Sequence, residues 1–541
     1  MFRSKHKSTT DRAEPKLLRK LGNNEVYQLA MYLLDQYRGT SVSSRYSIPV
    51  TLSGPESRDE LVRAVENAIV DAVLKHGVLQ VAIADAHSKS PTWVQLETLN
   101  LRQHVTWHFK DSEAELEGIL QEILADEVDA TYPELDSRPG WRVVVIRPQQ
   151  TKFVEIVFTW NHPHCDGMSG KIFHASLLES LNSAALGKDA ENDTNDLSVI
   201  KLPDSPPNLP PPVEEICKLP VTLPFILKTM WEEWGPTMLT AKPTLARWAP
   251  IPSRSSPFKT QVRAFTVEAE QLGNILHACR QHKTTLTGLL HVLTLTSLAS
   301  QLAEEAAPAF ASGTTMDMRR YVDPKPPAYP WLEPDRAMGN FVTIMTHEFE
   351  RGLVSQIRSL VSRSATDPST SGTVEAGNRA EILSAELVDL IWKDAARVRG
   401  EMEQRLAMGL KNDIVGIMKF IGDWQQEMAN AARKPRVHSW WITGTGVLDG
   451  TSSKTGPSSD SAPALQPVSS SGDDVWAIRR AQFALSTETT AAAINISPLT
   501  VSGERLCVGG SWQDCLFDES LGERVMADLE GWLGQLAQQS S

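Results

Sequence analysis

Cysteine is scarce in this chain: five residues in 541, widely spread, with no Cys-x-x-Cys pair. That excludes a disulfide framework and a zinc-finger scaffold, and it fits a reducing compartment. Positive charge is short as well. The net charge is −13, which argues against nucleic acid as the main partner, because phosphate backbones call for a basic surface. A local basic pocket for a phosphorylated co-substrate stays open. No run of about 18 apolar residues occurs, so no transmembrane segment is expected. The opening stretch MFRSKHKSTTDRAEPK is basic and polar with no apolar centre, and does not read as a secretory signal. With 41% hydrophobic and 22% charged residues, the expectation is a soluble protein of the cytoplasm.

The length exceeds what one compact core holds, so two large lobes or several domains are expected. Residues 1–200 alternate helices with strands, the signature of an α/β lobe. A helix is expected from about Asn24 to Gly39. Another spans 55–77, with Leu61, Val65, Ile69 and Val73 on one face and Ser57 and Glu60 spaced as a capping box. WRVVVIR (141–147) and FVEIVFTW (153–160) read as paired strands. Residues 201–260, containing NLPPPVEEICKLP, are proline-rich and read as a crossover. A second lobe is expected over 261–541. Its helix TTLTGLLHVLTLTSLASQL is apolar nearly all round and therefore buried. A long helical stretch is expected over 380–430, and a flexible loop rich in Ser, Gly and Asp over 449–474. Closing strands at 475–512 and a final helix at 517–538 complete the lobe.

The chemistry concentrates in VEIVFTWNHPHCDGMSG, residues 154–170. Pro163 disfavours helix at His162, so His162 is expected extended at a strand end, which sets aside a helical two-His zinc site. Three readings remain. His162-x-His164-x-Asp166 resembles the start of a zinc-hydrolase signature, but Gly167 stands where its last histidine belongs and no downstream ligand set is evident. His162-x-x-x-Asp166-Gly167 instead suits acyl transfer by a single base. A neutral imidazole takes the proton of an alcohol as that oxygen attacks a thioester. On this reading Asp166 is a structural support and Gly167 gives the turn room for a substrate. The third reading is a plain polar turn. His164 is expected on the same side as His162, or as a turn-stabilising residue, and Cys165 on the opposite side as a buried bystander. Arg319 either pairs with Asp166, shapes a channel or makes a surface ion pair. Asn340 either bonds substrate or a tetrahedral oxyanion, or caps a loop. Fifteen tryptophans are many; Trp160, Trp231, Trp234 and Trp248 line an apolar pocket or pack the core.

The HxxxDG stretch after a strand resembles the CoA-dependent acyltransferase superfamily, which includes chloramphenicol acetyltransferase, plant BAHD acyltransferases and condensation domains. More narrowly, the chain is similar to fungal alcohol and trichothecene O-acetyltransferases. RKLGNNEVYQLAMYLLDQY resembles their opening helix, TTLTGLLHVLTLTSLA the buried helix of the second half, TTMDMRRYV a strand ending in Asp-x-Arg, and MGNFVTIM a Gly-Asn-Phe strand. WAIRRAQF and GGSWQDCLFDESLGERVMADLEGWL resemble the closing strands and helix. The chain departs from the pattern at Asn161, where many members have a first histidine, and around ITGTGV, so no oxyanion donor is assigned. The resemblance implies two similar chloramphenicol-acetyltransferase-like α/β lobes, each a two-layer sandwich, with a channel between them. His162 would sit at its middle, with CoA entering from one face and the acceptor from the other. It implies an acyltransferase, acetyl-CoA-dependent in the first instance. It would act as a monomer, without bound cofactor or metal, on a hydroxyl of a lipophilic small molecule in fungal secondary metabolism. Transfer to an amine, condensation of a carrier-bound acyl group, a non-catalytic ligand-binding relative and the zinc hydrolase are the alternatives.

Overall fold

The computed structural model describes residues 16–111, 116–149, 151–185, 198–235, 242–251, 259–366, 382–451, 475–517 and 519–539. The loop expected over 449–474 lies outside these from residue 452 onward.

Two sheets organise the chain. The first has five strands in the order Ala477–Leu485, Gly39–Ser47, Phe153–Asn161, Trp141–Pro148 and Val105–Lys110. The strand carrying FVEIVFTWN is the central one of the five and buried on both faces, as its near-continuous apolar run requires. Alternation decides which neighbour each residue meets. Ile156 and Phe158 pack with helices Arg58–Lys75 and Gly167–Ala185, while Val144, Ile146 and Val157 face helix Leu116–Asp129. Leu61, Val65, Ile69 and Val73 are all buried on the first of those helices. The capping box expected at its start does not form: the Ser57 hydroxyl bonds the Thr51 carbonyl instead.

The second sheet is mixed. Its path runs Thr260–Val267, Leu506–Gln513, Ala492–Val501, His438–Ile442, Phe310–Asp317 and Val342–Phe349, with Gly446–Leu448 beside Ala492–Val501. Helix Leu286–Gln301 is buried from Gly288 to Ala299, which its all-round apolar sequence demands. It shares a core with helices Ala269–Gln281, Ala385–Ala407 and Glu519–Gln539.

Three features differ from the sequence reading. Helix Asn23–Leu33 stops before Gly39, which instead opens a strand. The stretch over 380–430 is not one helix. It ends at Ala407, with Gly409 at φ 61°, and resumes as Trp424–Ala431; a left-handed glycine just past a helix terminates it. Finally, strand Ala477–Leu485 leaves the second half of the chain and pairs antiparallel with Gly39–Ser47, Leu485 opposite Thr40. The two lobes are therefore not two uninterrupted sequence blocks. The apolar strand pattern announced a strand there, but pattern alone carries no information about which sheet it joins.

Candidate active site

The strand Phe153–Asn161 ends at the junction of the two sheets. Residues 162–164 form a turn, closed by the His164 N–H to the Asn161 carbonyl at 3.0 Å. The turn separates the two histidines rather than aligning them. His164 points into the first lobe, buried, with its Nε2 accepting from the Gly140 N–H at 3.2 Å and its ring edge on Trp93 at 4.8 Å. His162 lies on the wall of a cavity of about 470 Å³ between the lobes. The shared side expected for the pair does not exist, because residues 162–164 turn instead of continuing extended. The donors of His-x-His-x-Asp do not converge, and among the described residues no three His, Cys, Asp or Glu gather as a metal site.

His162 is held from behind. Asn340 Nδ2 donates to the His162 carbonyl at 3.0 Å and sits 3.4 Å from Nδ1. Asn340 Oδ1 in turn accepts from Asn24 Nδ2 at 3.0 Å. The Tyr37 ring packs at 5.2 Å from the imidazole, and its hydroxyl is tied to Thr40 at 2.6 Å. Burial lowers the His162 pKa to about 4, against the opposing pull of the Asp166 charge and a ring bond to its own backbone carbonyl. A neutral imidazole with its proton on Nδ1 leaves the Nε2 lone pair free to accept a proton. The imidazole is neutral at pH 7.

Asp166 does not touch that ring by any hydrogen bond. Its Oδ2 accepts from Arg319 Nη1 at 2.7 Å and the Phe341 N–H at 2.8 Å. Its Oδ1 accepts from Arg319 Nη2 at 3.0 Å, the Ser169 N–H at 3.0 Å and the Ser169 hydroxyl at 2.9 Å. Burial alone would raise its pKa, but the Arg319 guanidinium and these donors hold it below the usual carboxylate range. The Asp166 N–H donates to the Gly339 carbonyl at 3.0 Å, so the turn is stitched to the strand entry of the second lobe. Arg319, 2% exposed, also pairs with Asp317 at 2.9 Å.

Gly167 is the first residue of helix Gly167–Ala185, not a turn residue, and its φ is not left-handed. Its small size matters for space: a Cβ there would stand 3.1 Å from the Phe483 ring and 3.1 Å from the Thr445 methyl. Neither Arg319 nor Asn340 lines the cavity; both stand behind the residues that do. Burial makes Cys165 a protonated thiol. Of the four tryptophans singled out, Trp160 is core, Trp248 packs on Phe517 at 5.7 Å and Trp231 is exposed, while the Trp234 side chain is outside the described atoms. Trp424 and Trp441 line the cavity instead, with Met168, Met316, Met418 and Phe483 among its apolar walls.

Sequence reasoning missed Asn24, Tyr37, Ser169 and the loop after strand His438–Ile442. The Thr443 and Thr445 hydroxyls line the cavity, buried and with no hydrogen-bond partner among the described residues. Lys171 Nζ clamps that loop through the Thr445 carbonyl at 2.7 Å. An unpaired threonine leaves no mark in sequence; only the ITGTGV glycines hinted at this loop.

Two mixed sheets facing each other across a cavity, with a His-x-x-x-Asp-Gly turn on its wall, are the architecture of the two-lobed CoA-dependent acyltransferases. The alcohol acetyltransferase family matches residues 93–365, more than half of the chain, and the chain belongs to that family. It is an acyltransferase acting on alcohols. Among relatives, the probable alcohol acetyltransferase FCK4 of Fusarium pseudograminearum is 24% identical, the match covering 96% of this chain and 95% of that protein. The probable alcohol acetyltransferase crmB of Aspergillus fumigatus is 21% identical over 93% of this chain and 96% of that one. Among solved structures, the TRI3 trichothecene 15-O-acetyltransferase of Fusarium sporotrichioides superposes with a TM-score of 0.64 at 14% identity, covering 97% of this chain and 99% of that one. The condensation domain of the monacolin K polyketide synthase MokA gives 0.53 at 9% identity, covering 97% and 98%. At such identities the structural likeness concerns the fold. No described helix is long and apolar enough to cross a membrane.

Proposed function

We propose that this enzyme moves an acetyl group from acetyl-CoA to a hydroxyl of a lipophilic small molecule, with His162 as general base. The observation that carries this reading is a neutral imidazole on the wall of a largely apolar cavity, braced by Asn340 and Tyr37. The alcohol O–H gives its proton to Nε2 as its oxygen attacks the thioester carbon. The C–O bond forms, and the carbonyl oxygen takes negative charge. The hydroxyls of Thr443 and Thr445 are the donors at hand for that charge. Collapse breaks the C–S bond, and the imidazolium returns its proton to the CoA sulfur. The alcohol is itself the nucleophile, so no acyl-enzyme is required.

Asp166 has no part in proton movement on this reading. All its lone pairs meet donors, so it fixes the turn that aims His162. The apolar walls favour an acceptor with extensive hydrocarbon surface, at roughly 25 cal/mol for each Å² removed from water. The test is incubation of the purified enzyme with acetyl-CoA and a panel of apolar and polar alcohols, following free thiol and product mass. Apolar alcohols should be acetylated with kcat/KM above that of polar ones of equal size. Acetylation restricted to small polar alcohols, or to amines, would contradict it.

A further inference from the structure

Glu488 lies in the link between strands Ala477–Leu485 and Ala492–Val501 and lines the same cavity as His162, although it is only 6% exposed. Its Oε1 accepts from the Tyr27 hydroxyl at 3.1 Å and the Thr490 hydroxyl at 3.3 Å. Its Oε2 accepts from no described residue. No cation stands within ion-pair distance among the described residues either. Arg436 donates through Nε and Nη1 to the main-chain carbonyls of Ala249 and Ala492, at 3.0 Å each, and meets Glu488 only at its backbone carbonyl, at 3.4 Å; its buried Nη2 has no hydrogen-bond partner among the described residues, and its charge acts on the Glu488 carboxyl only from beyond ion-pair distance.

The three other carboxylates on the cavity wall differ. Asp166 is saturated, Asp317 is paired with Arg319, and Glu427 is not without a partner. A buried carboxyl with a free oxygen and no cation is costly to keep, and a well-packed apolar side chain would cost less. Its place on a wall that is mostly apolar by surface, with Met, Ile, Phe and Trp among its residues, makes it a polar anchor in that space.

Glu488 shares this cavity with His162 and with Tyr37, the residue whose ring packs on His162. We propose that Glu488 selects the acceptor: the preferred substrate is an apolar alcohol carrying a second hydroxyl, which donates to Glu488 Oε2 while the first is presented to His162. The proposal rests on the O-acyltransferase reading above. A hydroxyl suits the site better than an ammonium. Burial raises the Glu488 pKa to about 7, so near neutrality the group is partly protonated. A hydroxyl both donates and accepts, and pairs with either form; an ammonium pairs only with the ionised one.

The test is a matched set of apolar monohydric alcohols and their diols of graded length, assayed with acetyl-CoA on wild type, Glu488→Gln and Glu488→Leu, with thermal melts confirming folded protein. Wild type should prefer one diol length over its monohydric partner by roughly tenfold to a hundredfold in kcat/KM, chiefly through KM. Glu488→Gln, nearly the same shape, should shrink that ratio, and Glu488→Leu should bring it to about one. The KM for acetyl-CoA should not move. An unchanged diol ratio in both variants, or a rise in the acetyl-CoA KM instead, overturns the assignment of Glu488 to the acceptor while leaving the O-acyltransferase reading intact. Failure of wild type to acylate any alcohol of either set overturns both.

Discussion

Arg319 and Asp166 meet across the junction of the two lobes in a two-pronged ion pair, Nη1 to Oδ2 at 2.7 Å and Nη2 to Oδ1 at 3.0 Å, with both side chains almost wholly buried. The pair joins the turn after the first sheet to the strand entry of the second. The histidine that faces the cavity is therefore aimed by a contact between lobes.

Asp166→Asn keeps the shape and removes the charge, leaving the Arg319 guanidinium buried without its partner. A loss of about 3–5 kcal/mol of unfolding free energy is expected from breaking such a pair. The residual folded enzyme should retain more activity than His162→Ala. Denaturant unfolding and initial rates on the same preparation check both. Equal rate losses in the two variants with unchanged stability would place Asp166 in the chemical step.

The pH–rate profile should rise low. With the His162 pKa at about 4 from burial, the imidazole is protonated and inactive below that value and neutral above it, so kcat/KM should climb around pH 4 and be flat by about pH 6. An inflection at the ordinary histidine value of about 6.5 would mean that the ring is far better solvated than the cavity geometry allows.

Gly167 is a question of space. A methyl there falls 3.1 Å from both Phe483 and Thr445, tighter than ordinary packing. Gly167→Ala should therefore lower kcat/KM by displacing the Thr445 loop, and Gly167→Val should do so more severely, with overpacking costs of about 1–3 kcal/mol in stability. Titration with the acceptor and a melt for each variant decide it; full activity in Gly167→Val would show that the loop yields freely.

Acid should weaken the fold above the carboxylate range. His76, His104, His162, His164, His174 and His438 are each brought to about 4, burial being the largest cause. Each is lowered relative to the unfolded chain, so the unfolded state binds more protons between the two values. Stability is complete above about pH 6.5 and is lost as pH falls toward 4. Melting temperatures across that window should fall steadily; a flat curve down to pH 4.5 would contradict these burials.

The sequence carried the periodic elements and the chemistry-bearing turn, for physical reasons. Leu61 to Val73 repeat at helical spacing on a buried face, and the strand before His162 is apolar because both its faces are covered. The spacing His162 to Asp166 was legible, as was the pairing of Asp166 with Arg319 as one of several options. What stayed hidden depends on tertiary placement. The exchange of strand Ala477–Leu485 into the first sheet needs knowledge of neighbours far along the chain. The opposite headings of His162 and His164 follow from a turn that Pro163 does not dictate. Asn24 reaches Asn340 over more than 300 residues, and Glu488 acquires meaning only from the apolar wall around it.

His162 carries the proposed chemistry. Its replacement by alanine should lower kcat for acetyl transfer from acetyl-CoA to an apolar alcohol by roughly 10²–10⁴-fold, the usual share of general-base catalysis, with the melting temperature and the acceptor KM close to wild type. A folded His162→Ala enzyme turning over at near-normal rate would contradict the assignment of the base.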